Sequence, residues 1–540
     1  MVASQHRLAS RIGATVLAKG GNAIDAAVAV GFSLAVALPR AGNIGGGGFM
    51  LLHLAQDGQT LAIDFRERAP ARATRDMFLD ENGDVDPALS KYSHLASAVP
   101  GTVAGLWFAH KEYGRLPWKS LLEPAIALAR DGVAVTYDLE QLLVDRRERL
   151  SANAATRGYF YKENGEPYRM GEILVQSDLA DTLQLIADDG ADAFYRGPVA
   201  GLIVAEMQAN GGLIDAEALA AYEPALREPV RGSYRGMQIV SMPPSSSGGI
   251  HIIQMLNVLE HFPLAEFGAE SADGMHLLAE VMKLAYADRS EHLGDTDFYD
   301  VPAEWLTSKE YAAHLANSID MRGARASSDI KPGIPDTPES IDTTHFSVMD
   351  RDGNAVATTY TLNFSYGSGI SVPGAGFLLN NEMDDFVAKP GVPNEFGLLG
   401  GKANAIAGNK RPLSSMTPAM VFEHGKPVLV TGSPGGSRII TTVLQMIVNV
   451  IDHRMNIADA TAAPRIHHQW FPDRLEVESG VAVDTIEELA RRGHRVIESP
   501  AMGSLQTVMY RDGFFQGASD PRRPTAGSAG PASIAAGSQL

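Results

Sequence analysis

The sequence predicts an α+β protein, and three observations carry that prediction. Helical patterns dominate residues 4–38 and 102–220, and strand patterns dominate 343–431. The strand-rich region then runs as strand pair, strand pair, helix, the order expected when a reactive side chain emerges from a central antiparallel sheet. With 540 residues and 45% hydrophobic content, the chain can build one large core or two conventional domains.

Taken in order, the most apolar run is Ala23–Leu38, which contains Asp25 and is shorter than a bilayer requires. Lys331 to Asp342, with Pro332, Pro335 and Pro338, reads as exposed loop. Thr343-Thr344-His345-Phe346-Ser347-Val348 then opens a buried hairpin. Arg351-Asp352-Gly353 forms its turn, and Asn354 to Leu362 returns as the second strand. A three-residue loop ending in Gly suits a type I turn with a glycine bulge. That loop pairs Asp350 with Asn354, so Thr343 falls opposite Thr361 on the same face, with Asn363 two residues on.

A second strand pair, Ala419–Glu423 and Pro427–Thr431, is joined by a His-Gly-Lys turn. It links Asn409-Lys410-Arg411-Pro412-Leu413-Ser414-Ser415-Met416 to Gly432-Ser433-Pro434-Gly435-Gly436-Ser437. Apolar residues on a helical spacing follow over Ile439–Asp452, so the glycine pair sits at a helix N-terminus. Bare N–H groups there can hold an anion or oxyanion. The final stretch, Pro521 to Leu540, is rich in Ala, Gly, Ser and Pro and is expected to be disordered.

A threonine hydroxyl is a weak nucleophile unless a base sits beside it. If the chain were cut between Asp342 and Thr343, the new α-amine, with a pKa of roughly 7.7–8.0, would be that base.

The chain resembles the γ-glutamyltransferase family of N-terminal-nucleophile hydrolases from Ala3 to about Pro521. The resemblance rests on Gly20–Ala27, Gly42–Phe49, Asp64-Phe65-Arg66-Glu67, Pro100–Gly105 and Pro243–Gly249. It rests also on Asp-Thr-Thr-His, Leu-Ser-Ser-Met and Gly-Ser-Pro-Gly-Gly-Ser, all in order. It implies one four-layer αββα globule, self-cleaved into a large piece (1–342) and a small piece (343–540) that remain together.

By the same resemblance, Thr343 is the nucleophile, Thr361 its hydrogen-bonding partner, and Gly435 and Gly436 the oxyanion hole. Arg66 with Ser414 and Ser415 holds a substrate α-carboxylate; Asp385 with Glu382 and Asn363 holds its α-ammonium. The implied substrates are glutathione and other γ-glutamyl compounds, with water, amino acids or dipeptides as acceptors. Pro390–Gly401 resembles a lid, and carries Phe396 where many bacterial members have Tyr. Members are typically periplasmic or secreted. The chain begins where the mature family sequence would, without a basic-then-apolar leader, so a removed leader is expected. Two alternatives remain: a glutaryl acylase of the cephalosporin type, or a non-catalytic peptide-binding relative.

Composition excludes other chemistries. A formal charge of −19 disfavours a nucleic-acid partner. The chain has no cysteine, hence no disulfide, thiolate nucleophile or cysteine-based zinc site. No HExxH occurs, and His467-His468 cannot share a metal from a regular element, so no metal or other cofactor is expected. Gly400-Gly401-Lys402 is followed by Ala403, which rules out a P-loop. Gly432-Ser433-Pro434-Gly435 is not a G-x-S-x-G elbow.

Overall fold

The structure is a computed structural model and describes residues 1–331, 343–389 and 401–531. Thirteen strands make its two principal sheets: β1 (Val2–Ser4), β2 (Gly47–Leu54), β3 (Gln59–Phe65), β4 (Ala225–Arg227), β5 (Val230–Tyr234), β6 (Met237–Ser241), β7 (Thr344–Met349), β8 (Ala355–Thr361), β9 (Ala419–Glu423), β10 (Lys426–Thr431), β11 (Gln506–Arg511), β12 (Phe514–Ser519) and β13 (Gly527–Ala529). One sheet has the order β13-β1-β7-β8-β2-β3-β4 and the other β12-β11-β10-β9-β6-β5, all antiparallel.

Strand alternation sends the two faces of the seven-stranded sheet into different cores. Phe49, Leu51, Ala355 and Ala357 pack toward the six-stranded sheet. Met50, Leu52, Phe346, Val348 and Val356 pack against the N-terminal helices. Those include α1 (Arg7–Ala18), α2 (Ala23–Ala37), α3 (Thr102–Tyr113), α4 (Trp118–Asp131) and α5 (Ser177–Asp189). On the far side α6 (Gly248–Leu259), α7 (Ala272–His292) and α8 (Arg438–Ile451) cover the second sheet. The result is the expected αββα sandwich.

Helix α2 explains the uniformly apolar run: all of its residues are buried. Asp25 survives there because it closes a capping box with Asn22 and also accepts the Arg115 and Leu116 N–H groups. None of the described helices is long and apolar enough to cross a membrane.

The tail departs from expectation. Residues 521–531 are ordered: β13 pairs with β1, Arg7 N–H donates to Thr525 O, and Ser10 Oγ donates to Gly527 O. Small residues lack side-chain burial but still offer backbone groups, and an unpaired edge at β1 takes them. Residues 532–540 lie outside the described residues.

Candidate active site

The hairpin has the register its turn dictates. Asp350 N–H donates to Asn354 O, Gly353 takes φ of 94°, and Thr344 pairs with Tyr360. One further step sets Thr343 opposite Thr361, at the mouth of the gap between the sheets. Both are buried, and Thr361 Oγ1 accepts the Asn363 N–H at 2.8 Å. The glycines before β2 permit this packing: a Cβ on Gly46 would stand 1.9 Å from Thr361 O.

His345, two residues after Thr343, lies on the same inner face. Its Nε2 is 3.0 Å from Ser347 Oγ and its Nδ1 is 2.8 Å from Thr359 Oγ1. Ser347 Oγ donates to Gln506 O, so it must accept from Nε2–H, leaving Nδ1 to accept from Thr359. Burial lowers the His345 pKa to about 3. This ring is a neutral spacer between sheets with both nitrogens committed.

Thr343, Thr361 and Asn363 open into a cleft with about 310 Å³ of empty space, also lined by Arg66, Arg289, Glu382, Asp385, Ser414, Ser415 and Gly436. No histidine, lysine or cysteine is among the described residues lining it. Arg66 leaves the end of β3 fully buried. Its Nη1 pairs with Glu382, its Nη2 with Asp385, and its Nε donates to Pro412 O. Burial opposes the guanidinium charge, but Glu382, Asp385 and Glu67 together raise its pKa.

The carboxyls pay the reverse penalty. Burial pushes Glu67 up to about 7 and Glu382 well above the carboxylate range, with Arg66 opposing in both cases. Burial also raises Asp385, again against Arg66. Arg66 faces three buried carboxyls and Arg289 acts on one of them, Asp385, which still leaves room for a further positive group. Asn363, in the left-handed region at φ 75°, anchors through its Nδ2 to Asn381 O beside this cluster.

Ser414 and Ser415 are held by a segment from the large half of the chain. Ser414 N–H donates to Ser245 O, and Ser247 N–H and Oγ both donate to Ser414 O. Gly435 and Gly436, with φ of 135° and 55°, make the turn into α8; their carbonyls accept from Arg438 and Ile439 N–H. Gly436 lines the cleft, and Gly435 precedes it in the chain without lining it. Neither N–H has an acceptor among the described residues.

The cleft therefore gathers Thr343, Thr361, Asn363, Arg66, Glu382, Asp385, Ser414, Ser415 and Gly436 from separate stretches of sequence. Asp342 and Phe396, the residue expected in a lid, lie outside the described residues. The sequence reading missed Arg289, which lies mid-helix in no motif, and gave no role to Glu67. It also missed a buried group away from the cleft, His276, Glu280 and His494. There His276 Nδ1 and His494 Nε2 are 2.7 Å apart and Lys283 Nζ is 2.5 Å from Glu280, so an ammonium already supplies the cation.

An αββα sandwich with a threonine at the mouth of its inter-sheet gap is the architecture of the N-terminal-nucleophile hydrolases. Residues 9–530 match the family model described as Gamma-glutamyltranspeptidase, and the chain belongs to that family. The glutathione hydrolase proenzyme of Escherichia coli K12 is 56% identical over 524 residues, covering 97% of this chain and 90% of that protein. A cephalosporin acylase structure from Bacillus halodurans superposes with a TM-score of 0.86 at 29% identity, covering 96% of this chain and 94% of that one. A Helicobacter pylori γ-glutamyltranspeptidase structure gives a TM-score of 0.60 at 49% identity over 61% of this chain and 94% of its own.

Proposed function

We propose that this protein is a self-processing γ-glutamyltransferase and glutathione hydrolase. The observation that carries the reading is the cleft itself: a buried hydroxyl nucleophile at one end and an arginine–carboxyl–serine cluster at the other. A γ-glutamyl group bears a carboxylate and an ammonium at its far end, a few bonds from the reacting amide. Binding those charges holds the amide over Thr343. An acceptor-only carboxylate suits the serine hydroxyls and arginine; an ammonium suits Asp385, Glu382 and the Asn363 amide oxygen.

Maturation comes first. Thr343 Oγ attacks the Asp342 carbonyl, the amide nitrogen leaves as the Thr343 α-amine, and the chain is joined by an ester. Water cleaves that ester, giving the Asp342 carboxylate and a free Thr343. The absence of any imidazole or lysine among the described cleft residues favours the α-amine as base.

In turnover the α-amine takes the Thr343 hydroxyl proton and Oγ attacks the γ-amide. The oxyanion is received by the Gly436 N–H, with Gly435 beside it, and the amine leaves with the proton returned. For glutathione the leaving group is cysteinylglycine. Water or an acceptor amine, of the amino-acid or dipeptide kind, then takes the γ-glutamyl group from the ester. The two pieces work as a heterodimer, because β1 (large piece) lies between β7 and β13 (small piece). Export to the periplasm or beyond accords with extracellular glutathione as substrate.

The test combines denatured mass, N-terminal sequencing and hydrolysis of γ-glutamyl against glutaryl anilides. The reading expects a fragment beginning Thr343-Thr344-His345 and faster cleavage of the γ-glutamyl donor. Asp385→Ala should abolish that preference, since a glutaryl group has no ammonium for it to hold. Faster glutaryl cleavage by the unaltered enzyme would instead make it an acylase like the Bacillus halodurans structure.

A further inference from the structure

Arg289 sits near the C-terminal end of α7, is 5% exposed, and faces the cleft. Its Nε donates to Ser247 Oγ at 3.0 Å and its Nη2 to Ser415 Oγ at 3.1 Å. Ser247 is the residue whose N–H and hydroxyl both hold Ser414 O. One guanidinium thus touches both the clamp behind Ser414 and the hydroxyl of Ser415.

A serine hydroxyl has one proton to give and two lone pairs to receive with. Ser415 Oγ already receives from Arg289, and Ser414 Oγ receives the Met416 N–H at 3.1 Å. Neither hydroxyl donates to another group among the described residues, so each proton is left for a ligand acceptor in the cleft. Arg66 is differently placed, with both terminal nitrogens already paired to carboxyls. Arg289 is also close enough to Asp385 to oppose the rise in its pKa that burial causes.

We propose that Arg289 is a positioning residue for the donor's α-carboxylate: by loading a lone pair of Ser415 Oγ it turns that hydroxyl's proton into the cleft, and its charge offsets the surrounding carboxyls. This rests on the γ-glutamyl reading of the site. Arg289 acts through Ser415 and forms no bond to the reacting amide. Its loss therefore weakens donor binding and leaves the chemical step almost intact.

The experiment is steady-state hydrolysis of γ-glutamyl anilide by Arg289→Met, Arg289→Lys, Ser415→Ala and the double variant Arg289→Met/Ser415→Ala. Each is first checked for self-cleavage by mass. Arg289→Met keeps the buried stem and loses the donors; KM should rise by about tenfold to a hundredfold, as loss of a charge-assisted hydrogen bond does, with kcat within about threefold. Arg289→Lys should recover much of the loss. In the Ser415→Ala background the arginine should matter by less than about threefold.

A full multiplicative loss in the double variant, or a fall in kcat at unchanged KM, would overturn the proposal. Should Arg289→Met fail to mature, Arg289→Gln in the two backgrounds gives the same comparison, because a neutral amide removes the charge and cannot reproduce the two-pronged contact. An unaltered enzyme that cleaves no γ-glutamyl anilide would count against the proposed function instead, so the two failures are separable.

Discussion

The His345 ring packs directly against Gly432: a Cβ added to that glycine would stand 2.3 Å from His345 Cε1. This contact joins the strand that follows Thr343 to the strand end that leads into Gly435 and Gly436. The ring cannot yield, because Thr359 and Ser347 fix its two nitrogens. The Gly432 carbonyl in turn accepts from Gln506 N–H. The His345 ring therefore holds Thr343, the proposed nucleophile, at a fixed spacing from Gly435 and Gly436, the proposed oxyanion donors. Gly432→Ala should push the oxyanion loop away from Thr343 and lower kcat on the order of 10²-fold, the cost of a displacement near 1 Å. Stopped-assay kinetics on the mature variant check this; unchanged kcat would mean the ring does not set the spacing.

Thr343 carries both cleavage and turnover in the proposed mechanism. Thr343→Ala should remain one chain on a denaturing gel and lose at least about 10⁴-fold in activity, as loss of a nucleophile does elsewhere. Thr343→Ser keeps a hydroxyl and should cleave and turn over at a reduced rate. A processed Thr343→Ala protein would place the cleaving hydroxyl on another residue.

The carboxyl cluster gives a pH dependence with a definite sign. Glu67 has an ordinary value of 4.5 and is pushed by burial up to about 7. Between those pH values the folded protein keeps a proton that the unfolded chain has released. Its contribution is thus favourable at the acid end and is lost as pH rises through that window. Urea unfolding of native protein should show stability falling by about 1–3 kcal/mol from this group over that range. Glu67→Gln should flatten the slope without removing it, since Glu382 shifts in the same direction. An identical slope in both proteins would place the shared proton elsewhere.

Much of this site is legible in the sequence because local rules fix it. The Arg351-Asp352-Gly353 turn set the hairpin register and hence the Thr343–Thr361 pairing, and the Gly435-Gly436 pair announced a helix start. Arg66 and Ser414 were found through motif resemblance, but their partners were not. Arg289 contacts Ser415 across 126 residues of sequence and lies in a helix whose pattern marks it only as charged. Glu67 lies in the Asp64-Phe65-Arg66-Glu67 motif, yet its raised pKa depends on complete burial beside Glu382, a tertiary fact. The ordering of residues 521–531 likewise depends on a distant edge strand that composition does not reveal.

That edge yields the remaining prediction. β1 brings three residues of the proposed large piece between β7 and β13, so after cleavage the proposed small piece would grip it from both sides. Met1 extends the ladder, its backbone nitrogen donating to Met349 O and its carbonyl accepting from Met349 N–H. Deleting residues 527–540 removes the β13 ladder and the Ser10 contact to Gly527 O, leaving β1 as an exposed edge. A few backbone hydrogen bonds at about 1 kcal/mol each should lower Tm by about 2–5 °C in a protein of this size. The loss should be larger after self-cleavage than in the uncleaved Thr343→Ala chain, because only the cleaved form needs the strand to keep its pieces together. Thermal melts of the truncated and full chains in both backgrounds measure this. Equal shifts would mean that β13 stabilises the fold without contributing to association of the pieces.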